Sequence, residues 1–341
     1  MGFIFVDGFD HWTAAPGTAG SKWDADGGGY ISVGASYGRF STAGLRCTIQ
    51  SAQIYWQKTL PAALGTLYFG LAYKMTATPG GPQCIISFFD TQTQCGLSVD
   101  GAGKLYTHRN STGSATVLQT STLSYPANEW HYIEGKVVFS DTGLFQVKVD
   151  EVEWIDTTTG DTTITANNSA GAIRVFGIYG STSSTTQYID DLYIHDSAYQ
   201  GDVRVIYRAP DGPSADGAGH TLWTPSTGAN WQCVDEAAPD TADYVSTATT
   251  SNVDTYTMTD LTQTTGTILA VVGNYFAQKT DAGARTISMT TRLAGTDLDS
   301  TAQAVASSWG YLQFIQEAKP GGGAWTLQNT KDAEMGMKVT A

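Results

Sequence analysis

Charged residues are scarce in this sequence, and long hydrophobic runs are missing. Lys, Arg, Asp and Glu together make up 15% of the 341 residues, and the balance between them gives a net charge of −14. Because binding to DNA or RNA phosphates requires a basic surface, this acidity argues against a nucleic-acid partner. No apolar run approaches the roughly 18 residues that a membrane-spanning helix needs, so we expect no membrane-embedded segment.

Cysteine is also rare, and its spacing excludes the usual zinc motifs. The four cysteines, Cys47, Cys84, Cys95 and Cys233, contain no CxxC pair, so a zinc site is not expected. Cys84 and Cys95 flank a predicted hairpin and could face each other across it in a disulfide. Buried free thiols, as in a protein made in a reducing cytoplasm, are the favoured interpretation. Residues 1–7 lack the basic segment of a signal peptide, which also indicates a protein made without export.

The common catalytic motifs are missing as well. The sequence has no G-x-S-x-G elbow, and its five histidines show no metal-ligand spacing. One catalytic candidate remains, the pair Glu151 and Glu153, because a spacing of two places both carboxylates on one face of a strand, as in retaining glycoside hydrolases. Their position beside a predicted hairpin turn favours solvated acids instead. We therefore expect no enzyme activity.

Gly, Ser and Thr are abundant, and apolar residues alternate with polar ones over many short segments. This alternation puts one face of each segment on a core and the other in water. Gly, Asp, Asn and Pro mark the turns between the segments. The pattern predicts an all-β fold that begins with a two-sheet sandwich. The strands predicted for it lie at 3–6, 30–33, 54–58, 67–75, 84–90, 96–99, 104–109, 130–139, 144–149, 152–156, 172–179 and 188–195.

Three of these segments carry recognisable motifs. N-E-W-H-Y-I-E at 128–134 is followed by F-Q-V-K-V-D at 145–150 and by Y-I-D-D-L-Y-I at 188–194. They resemble the concanavalin A-like, laminin-G-like jelly rolls, in which a Trp-His strand precedes a V-x-V-D-G hairpin and an I-D-D strand ends the domain. Glu151 stands where the hairpin usually has Gly. The resemblance implies a jelly-roll sandwich over residues 1–198, in a superfamily that includes lectins, hydrolases and structural modules.

Residues 199–341 differ in character and predict a second, mostly β domain. A turn-rich segment at 223–245 precedes predicted strands at 254–259, 267–278, 285–293 and 309–317. We expect a hairpin loop at 281–283 and a short helix near 299–307.

The whole arrangement resembles a class of tailed-bacteriophage virion proteins, in which a lectin-like domain precedes a module with the pattern G-D-V-R-V … W-T-P-S-x-G-x-N-W … D-x-Y. The resemblance implies a non-catalytic structural protein of the virion, either a capsid decoration or a tail or fibre component, that serves particle assembly or surface display. It would be assembled in the bacterial host cytoplasm, as a homo-oligomer that contacts other virion proteins. Trp223, Trp231 and Tyr244 are the predicted interface residues. The residues that fit the pattern are Asp202, Val203, Trp223, Gly228, Trp231, Asp235, Glu236, Asp240, Tyr244, Asp254 and Tyr256.

The alternative function is a host-glycan-binding adhesin that uses the lectin-like domain, and a weaker alternative is a polysaccharide depolymerase acting through Glu151 and Glu153. Aromatic rings stack on sugars, but they also anchor protein interfaces. Both interpretations therefore apply to the aromatic residues that cluster near the start of the chain, which are Trp12, Trp23, Tyr30, Tyr37, Tyr55 and Trp56.

Calcium is the one cofactor that the sequence suggests. Asp7 and Asp10 follow the first predicted strand, and Asp190 and Asp191 lie on the last strand of the sandwich. If these strands are neighbours, the carboxylates converge, and such charges repel unless a cation or hydrogen-bond donors intervene. The other interpretation has Asp190 accepting backbone amides while Asp191 faces water.

Overall fold

The computed structural model describes residues 2–11, 21–26, 30–48, 54–111, 114–176, 185–215, 217–238 and 241–341. Trp12, Asp240 and the end of the predicted strand 172–179 lie outside these residues. The chain divides into two compact units: the first ends at Ile206, and the second comprises Tyr207–Ala341 together with a short stretch that ends at Lys22. Both are built from antiparallel strands, so the predicted all-β fold is confirmed.

The first unit is a sandwich of two antiparallel sheets. Its described strands are β1 (Phe3–Asp7), β2 (Ala25–Asp26), β3 (Ile31–Gly34), β4 (Gly44–Thr48), β5 (Trp56–Leu64), β6 (Thr66–Met75), β7 (Gln83–Phe89), β8 (Thr93–Val99), β9 (Lys104–Arg109), β10 (Thr116–Ser124), β11 (His131–Val138), β12 (Gly143–Val149), β13 (Val152–Gly160), β14 (Ala170–Val175) and β15 (Thr186–His195).

Sheet A has the order β13-β12-β11-β6-β15-β4-β3, and β1 also pairs with β15. Sheet B has the order β10-β9-β8-β7-β14-β5-β2. Neighbours such as β6 and β15 are far apart in the chain, which is the connectivity of a jelly roll. The first and last strands of the unit, β1 and β15, are paired.

Aromatic side chains join the two sheets in the core. Phe69 and Phe145 of sheet A both pack on Phe88 of sheet B, with ring centroids 5.4 and 6.0 Å from it. All three rings are fully buried. Gly135 makes room for this cluster, because a Cβ there would lie 2.3 Å from the Phe69 ring. Alternation along each strand therefore supplies the apolar inner faces that the sequence predicted.

A bulge interrupts β15 at its paired acids. Asp190 is opposite Ala72 and Tyr193 is opposite Gly70, so β15 has one residue more than β6 over this interval. Asp191 takes the extra position with a left-handed φ of 51°. The bulge lets apolar residues on both sides of the acid pair keep pointing into the core, which regular alternation would not allow.

Residues 199–206, which the sequence assigned to the second domain, belong to the first unit. Two buried carboxylates hold this segment. Glu134 Oε1 accepts the amides of Gln200 and Gly201 at 3.1 and 2.8 Å, and Asp191 Oδ1 accepts the amide of Val205 at 2.7 Å. Glu134 lies 66 residues before Gln200 in the sequence, and so strand patterns did not reveal its contact with the segment.

The second unit is centred on sheet C, with the order β16-β19-β25-β21-β22 and with β23 paired to β21. Its strands are β16 (Pro210–Pro213), β17 (Thr224–Pro225), β18 (Val245–Ser246), β19 (Val253–Met258), β20 (Val271–Ala277), β21 (Thr286–Leu293), β22 (Thr296–Asp299), β23 (Gln303–Ala304), β24 (Gly310–Gln316) and β25 (Glu334–Val339). Ile287 and Met289 of β21 pack with Phe314 of β24 in its core.

Two local predictions for this unit are wrong, and one helix was not predicted. The loop 281–283 does not close a hairpin, because β20 pairs with β24 and β21 pairs with β25. The expected helix near 299–307 is replaced by the end of β22 and by β23. A helix forms instead at α1 (Leu327–Asp332), where Thr326 Oγ1 accepts the Asn329 amide at 3.1 Å as an N-cap. Pairing between strands that are distant in sequence explains the two wrong predictions. The helix α1 was missed because a strand pattern does not show its N-cap.

The four cysteines are free and buried, in agreement with the favoured interpretation. Cys84 lies opposite Ser98 and Cys95 lies opposite Phe88, so the two thiols do not face each other across the β7–β8 hairpin. Within the described part of the chain, no helix is both long and apolar enough to cross a membrane.

Candidate functional site

The four acids predicted to bind calcium are held by hydrogen-bond donors of the protein. Asp7 Oδ1 accepts the Phe9 amide at 2.9 Å, and its Oδ2 accepts the Trp23 indole N–H at 2.8 Å. Asp10 Oδ1 accepts the Ala43 amide at 2.9 Å. These hydrogen bonds stabilise the carboxylates, as a bound cation would otherwise have to do.

The acid pair of the bulge is engaged in the same way. Asp190 accepts the amides of Arg39 and Asp191, both at 2.8 Å. Asp191 accepts the Val205 amide, and its Oδ2 lies 3.8 Å from Arg39 Nη1. Among the described residues, no group of three or more His, Cys, Asp or Glu is placed to hold a metal ion. Asp191 Oδ2 is buried without a hydrogen-bond partner, and calcium binding by the four acids stays a prediction.

Burial shifts the pKa values of these acids upward. It raises the pKa of Asp10 to about 6, against the lowering effect of the Ala43 amide. Burial and the neighbouring Asp191 charge raise the pKa of Asp190, and burial also raises that of Asp191. Part of the charge repulsion among these acids is therefore relieved by proton uptake.

The structure also places the candidate catalytic pair. Asp150 and Glu151 form the two-residue turn between β12 and β13, with φ values of 48° and 67°. Two consecutive positive φ values are typical of a type I′ hairpin turn. Glu151 and Glu153 are both exposed. The pair thus lies at a hairpin tip rather than across a sheet face, where a sugar could pass between two carboxylates.

The three predicted interface residues lie in different environments of the second unit. Trp223 is half-buried against the core and donates its indole N–H to the Asn252 carbonyl at 3.2 Å. Trp231 is half-buried in a short 3-10 turn, and Tyr244 is 44% exposed. Their role as an interface stays a prediction.

One buried acid organises the segment around those tryptophans. Asp254 accepts the Trp223 amide at 3.1 Å, the Asn230 side-chain amide at 2.6 Å and the Tyr256 hydroxyl at 2.9 Å. Asp254 is fully buried, and burial raises its pKa. The W-T-P-S-x-G-x-N-W and D-x-Y motifs are therefore one hydrogen-bonded structure.

The outward face of sheet B carries polar groups that the sequence analysis did not single out. Residues paired across antiparallel strands point to the same face. The register places Arg174 opposite Gln57 on one side and opposite Ser87 on the other, and the row continues through Gly96 to His108. The residues next to them in sequence, such as Trp56 and Val175, belong to the core.

Arg174 is the central group of this face. Its Cζ lies 4.1 Å from the ring centroid of Tyr55 and 3.6 Å from that of Phe89. Its Nε donates to Gln57 Oε1 at 2.7 Å. Among the described residues it forms no ion pair, and burial lowers its pKa. The guanidinium is thus half-buried between two aromatic rings and bonded to Gln57 through Nε.

At the end of the row, the buried His108 side chain is hydrogen-bonded to both Ser98 and Asn110. Its Nδ1 lies 2.9 Å from the Asn110 carbonyl, and its Nε2 lies 2.9 Å from Ser98 Oγ. Because a carbonyl only accepts, Nδ1 carries the proton and Nε2 accepts from the serine. Burial lowers the pKa of His108 to about 4, so the ring is neutral at pH 7. With both nitrogens bonded and the ring fully buried, His108 supports the face rather than meeting a ligand.

The early aromatic residues divide between core and surface. Trp23 and Trp56 are buried, with ring centroids 5.9 Å apart. Tyr30 is exposed, whereas Tyr37 and Tyr55 are half-buried. Tyr55 of this group contacts Arg174. An arginine set between apolar neighbours on a predicted strand was the signal for this site in the sequence, but the rings around it come from other strands.

No family model and no curated protein matches the sequence. Solved structures match part of it at low identity. An endo-β-1,4-glucuronan lyase from the fungus Trichoderma reesei is 12% identical, with 57% of this chain and 96% of that chain covered and a TM-score of 0.44. The cellulose-induced protein Cip1 is 14% identical over 59% and 98%, with a TM-score of 0.43. The carbohydrate-binding module CBM66 from Bacillus subtilis is 10% identical over 52% and 96%, with a TM-score of 0.35.

These matches correct the functional expectation. The structures that match include a glucuronan lyase and a carbohydrate-binding module, so the expectation of a purely structural role is wrong. The absence of catalysis and a place in a phage virion stay predictions. The alternative drawn from the sequence, a glycan-binding protein, is the better supported of the two.

Proposed function

We propose that the first unit is a glycan-binding module and that the sugar lies on the outward face of sheet B, around Arg174. The observation that carries this proposal is the guanidinium held over two half-exposed rings, Tyr55 and Phe89, without an acidic partner among the described residues. Leaving a half-buried charge without a counter-ion is costly, unless a ligand completes its hydrogen bonds.

The chemistry of this face suits a sugar. A pyranose ring has apolar C–H faces that stack on aromatic rings and equatorial hydroxyls that need fixed donors and acceptors. Tyr55 and Phe89 supply ring surface, Arg174 supplies donors in a fixed plane, and Gln57 supplies an amide. Such a combination of ring surface with a few placed polar groups is typical of ligand sites.

Binding to an immobilised glycan panel tests the proposal. The wild-type protein should retain at least one neutral or acidic oligosaccharide, and Arg174→Gln should weaken that binding about tenfold or more. Lys104→Gln is the matched control, because Lys104 lies on the same face of sheet B at the far end of β9. Unchanged binding by Arg174→Gln and by Tyr55→Ala would show that the sugar does not bind on this face.

We propose binding without cleavage. Glu151 and Glu153 are exposed at a hairpin tip, and His108 has both ring nitrogens in hydrogen bonds. Incubation of the protein with each retained glycan should release no new reducing ends and no unsaturated ends absorbing in the ultraviolet. Product formation that survives in Glu151→Gln and Glu153→Gln would show a catalytic centre elsewhere in the chain.

A further inference from the structure

The outward face of sheet A carries a second, unrelated row of side chains. Tyr188 of β15 lies opposite Lys74 of β6 on one side and opposite Arg46 of β4 on the other. Trp130 directly precedes His131, which pairs with Tyr73, and so Trp130 lies beside Lys74. The resulting order across the sheet is Trp130, Lys74, Tyr188 and Arg46, an alternation of aromatic rings and cations.

Tyr37 extends this row at the arginine end. Its ring centroid lies 4.3 Å from Arg46 Cζ and 5.9 Å from the centroid of Tyr188. Lys74 Nζ lies 5.7 Å from the Tyr188 centroid, and the Trp130 and Tyr188 centroids are 6.4 Å apart. All five side chains are half-buried. We call these five residues the aromatic–cation row.

The row is positively charged in a protein that is strongly acidic. In the part of the chain that the structure describes, neither Lys74 nor Arg46 forms an ion pair with a carboxylate. The Arg46 Nε is buried without a hydrogen-bond partner. Against a net charge of −14, two unpaired cations on one face make a local site for anions.

On one side of the row the same face carries polar, uncharged residues, whereas on the other side the buried Asp190, two residues from Tyr188, lies opposite Ala72. Thr76 and Thr186 exchange hydrogen bonds across β6 and β15, and Thr186 lies opposite Thr48 of β4. Asn128 donates its amide to the Met75 carbonyl beside them. Hydroxyl and amide groups next to the row suit a hydroxylated ligand better than a lipid or an apolar protein surface.

The spacing identifies the kind of ligand. Lys74 and Arg46 come from strands two apart, whose backbones are about 10 Å apart, whereas the Trp130 and Tyr188 rings lie against each other, with centroids 6.4 Å apart. An extended polysaccharide whose residues alternate in orientation presents the same side once per disaccharide. A carboxylate on each sugar could therefore meet the cations at alternate residues while ring faces meet the aromatic side chains. Nucleic acid is disfavoured by the overall acidity.

We propose that the aromatic–cation row binds an extended, carboxylated polysaccharide of the uronic acid type. This surface is on the opposite face of the sandwich from Arg174, and it does not depend on binding there. The cations pair with carboxylates, the rings stack on sugars, and the flanking threonines contact hydroxyls. Because exposed ion pairs are weak singly and are screened by salt, binding requires several sugars at once and falls as ionic strength rises.

Calorimetry with a hexasaccharide of β-1,4-linked glucuronate and with its methyl ester tests this inference. Wild-type protein should bind the acid about tenfold more tightly than the ester, because only the acid pairs with the cations. The double variant Lys74→Gln/Arg46→Gln should lose that preference and keep the weak binding of the ester. Tyr188→Ala should weaken both, and Tyr188→Phe, which keeps the ring, should bind as the wild type does.

Lys136→Gln is the matched control, since Lys136 lies over Tyr68 on the same face, with Nζ 5.4 Å from the ring centroid, but outside the row. It should bind both sugars as the wild type does. Retention of the acid preference by the double variant would overturn the proposal. So would equal binding of inorganic polyphosphate of matched charge together with no effect of Tyr188→Ala, since charge alone would then explain the result.

Discussion

Tyr193 donates its hydroxyl to Glu134 Oε1 at 2.6 Å, and the same carboxylate oxygen accepts the amides of Gln200 and Gly201. Glu134 is 3% exposed. Glu134 of β11 thus binds both Tyr193 of β15 and the segment that follows β15. The end of the first unit is set by this acid together with Asp191, rather than by the last strand.

Glu134→Ala should lower the free energy of unfolding by about 1–3 kcal/mol, because two backbone amides and a buried hydroxyl lose their acceptor. Glu134→Gln should cost less, since an amide oxygen still accepts. Urea unfolding followed by tryptophan fluorescence measures both. Glu153→Gln, an exposed acid of the same sheet, should change stability by under about 0.5 kcal/mol. Equal effects of Glu134→Ala and Glu153→Gln would contradict this account.

Asp10 should make stability fall as pH rises. Burial raises its pKa from 3.8 to about 6 in the folded protein. The folded chain therefore holds a proton that the unfolded chain has lost, and this contribution is complete below pH 3.8 and disappears as the pH rises through about 6. Asp10→Asn keeps an acceptor for the Ala43 amide but cannot titrate.

Urea midpoints at pH 4 and pH 7 measure this contribution. The variant should lose less stability than the wild type between the two values. The Asp10 charge also raises the pKa values of Asp190 and Asp191, so the difference reports the titration of Asp10 together with its effect on that pair. A constant difference across this range would mean that Asp10 titrates near its ordinary value.

Calcium should leave the first unit unchanged. Asp7, Asp10, Asp190 and Asp191 already accept hydrogen bonds from the protein. The melting midpoint should therefore be the same in EDTA and in millimolar calcium. A midpoint that rises with calcium in the wild type, but not in Asp190→Asn, would establish the site that the sequence suggested.

Asp254→Ala should destabilise the second unit by about 2 kcal/mol or more, because it leaves the Trp223 amide, the Asn230 amide and the Tyr256 hydroxyl without an acceptor. Tryptophan emission should change as well, since Trp223 depends on this acid for its position. Asp260→Ala, at an exposed position after β19, is the control. Similar stability of the two variants would show that Asp254 does not organise the segment.

Much of the first unit could be read from local pattern. The predicted segment 188–195 corresponds to β15 (Thr186–His195), and 67–75 corresponds to β6 (Thr66–Met75). The one-residue bulge at Asp191 escaped prediction, because alternation cannot show which residue a partner strand skips. In the second unit the prediction of a hairpin at 281–283 was wrong, because its strands pair with strands that are distant in the sequence.

The sites depended on tertiary structure to a greater degree. Trp130, Lys74, Tyr188 and Arg46 come from four separate stretches of chain, and only the strand order β11-β6-β15-β4 brings them into one row. Arg174 acquires its rings from the segments before β5 and at the end of β7 in the same way.

By itself, the sequence determined that the chain is acidic and all-β, and where most strands of the sandwich run, because charge and side-chain alternation are local properties. The tertiary structure alone decided which acids are satisfied by backbone amides and which cations have no acidic partner among the described residues. Those outcomes depend on pairing between distant strands, and that pairing is decided by burial of the whole core rather than by any one segment.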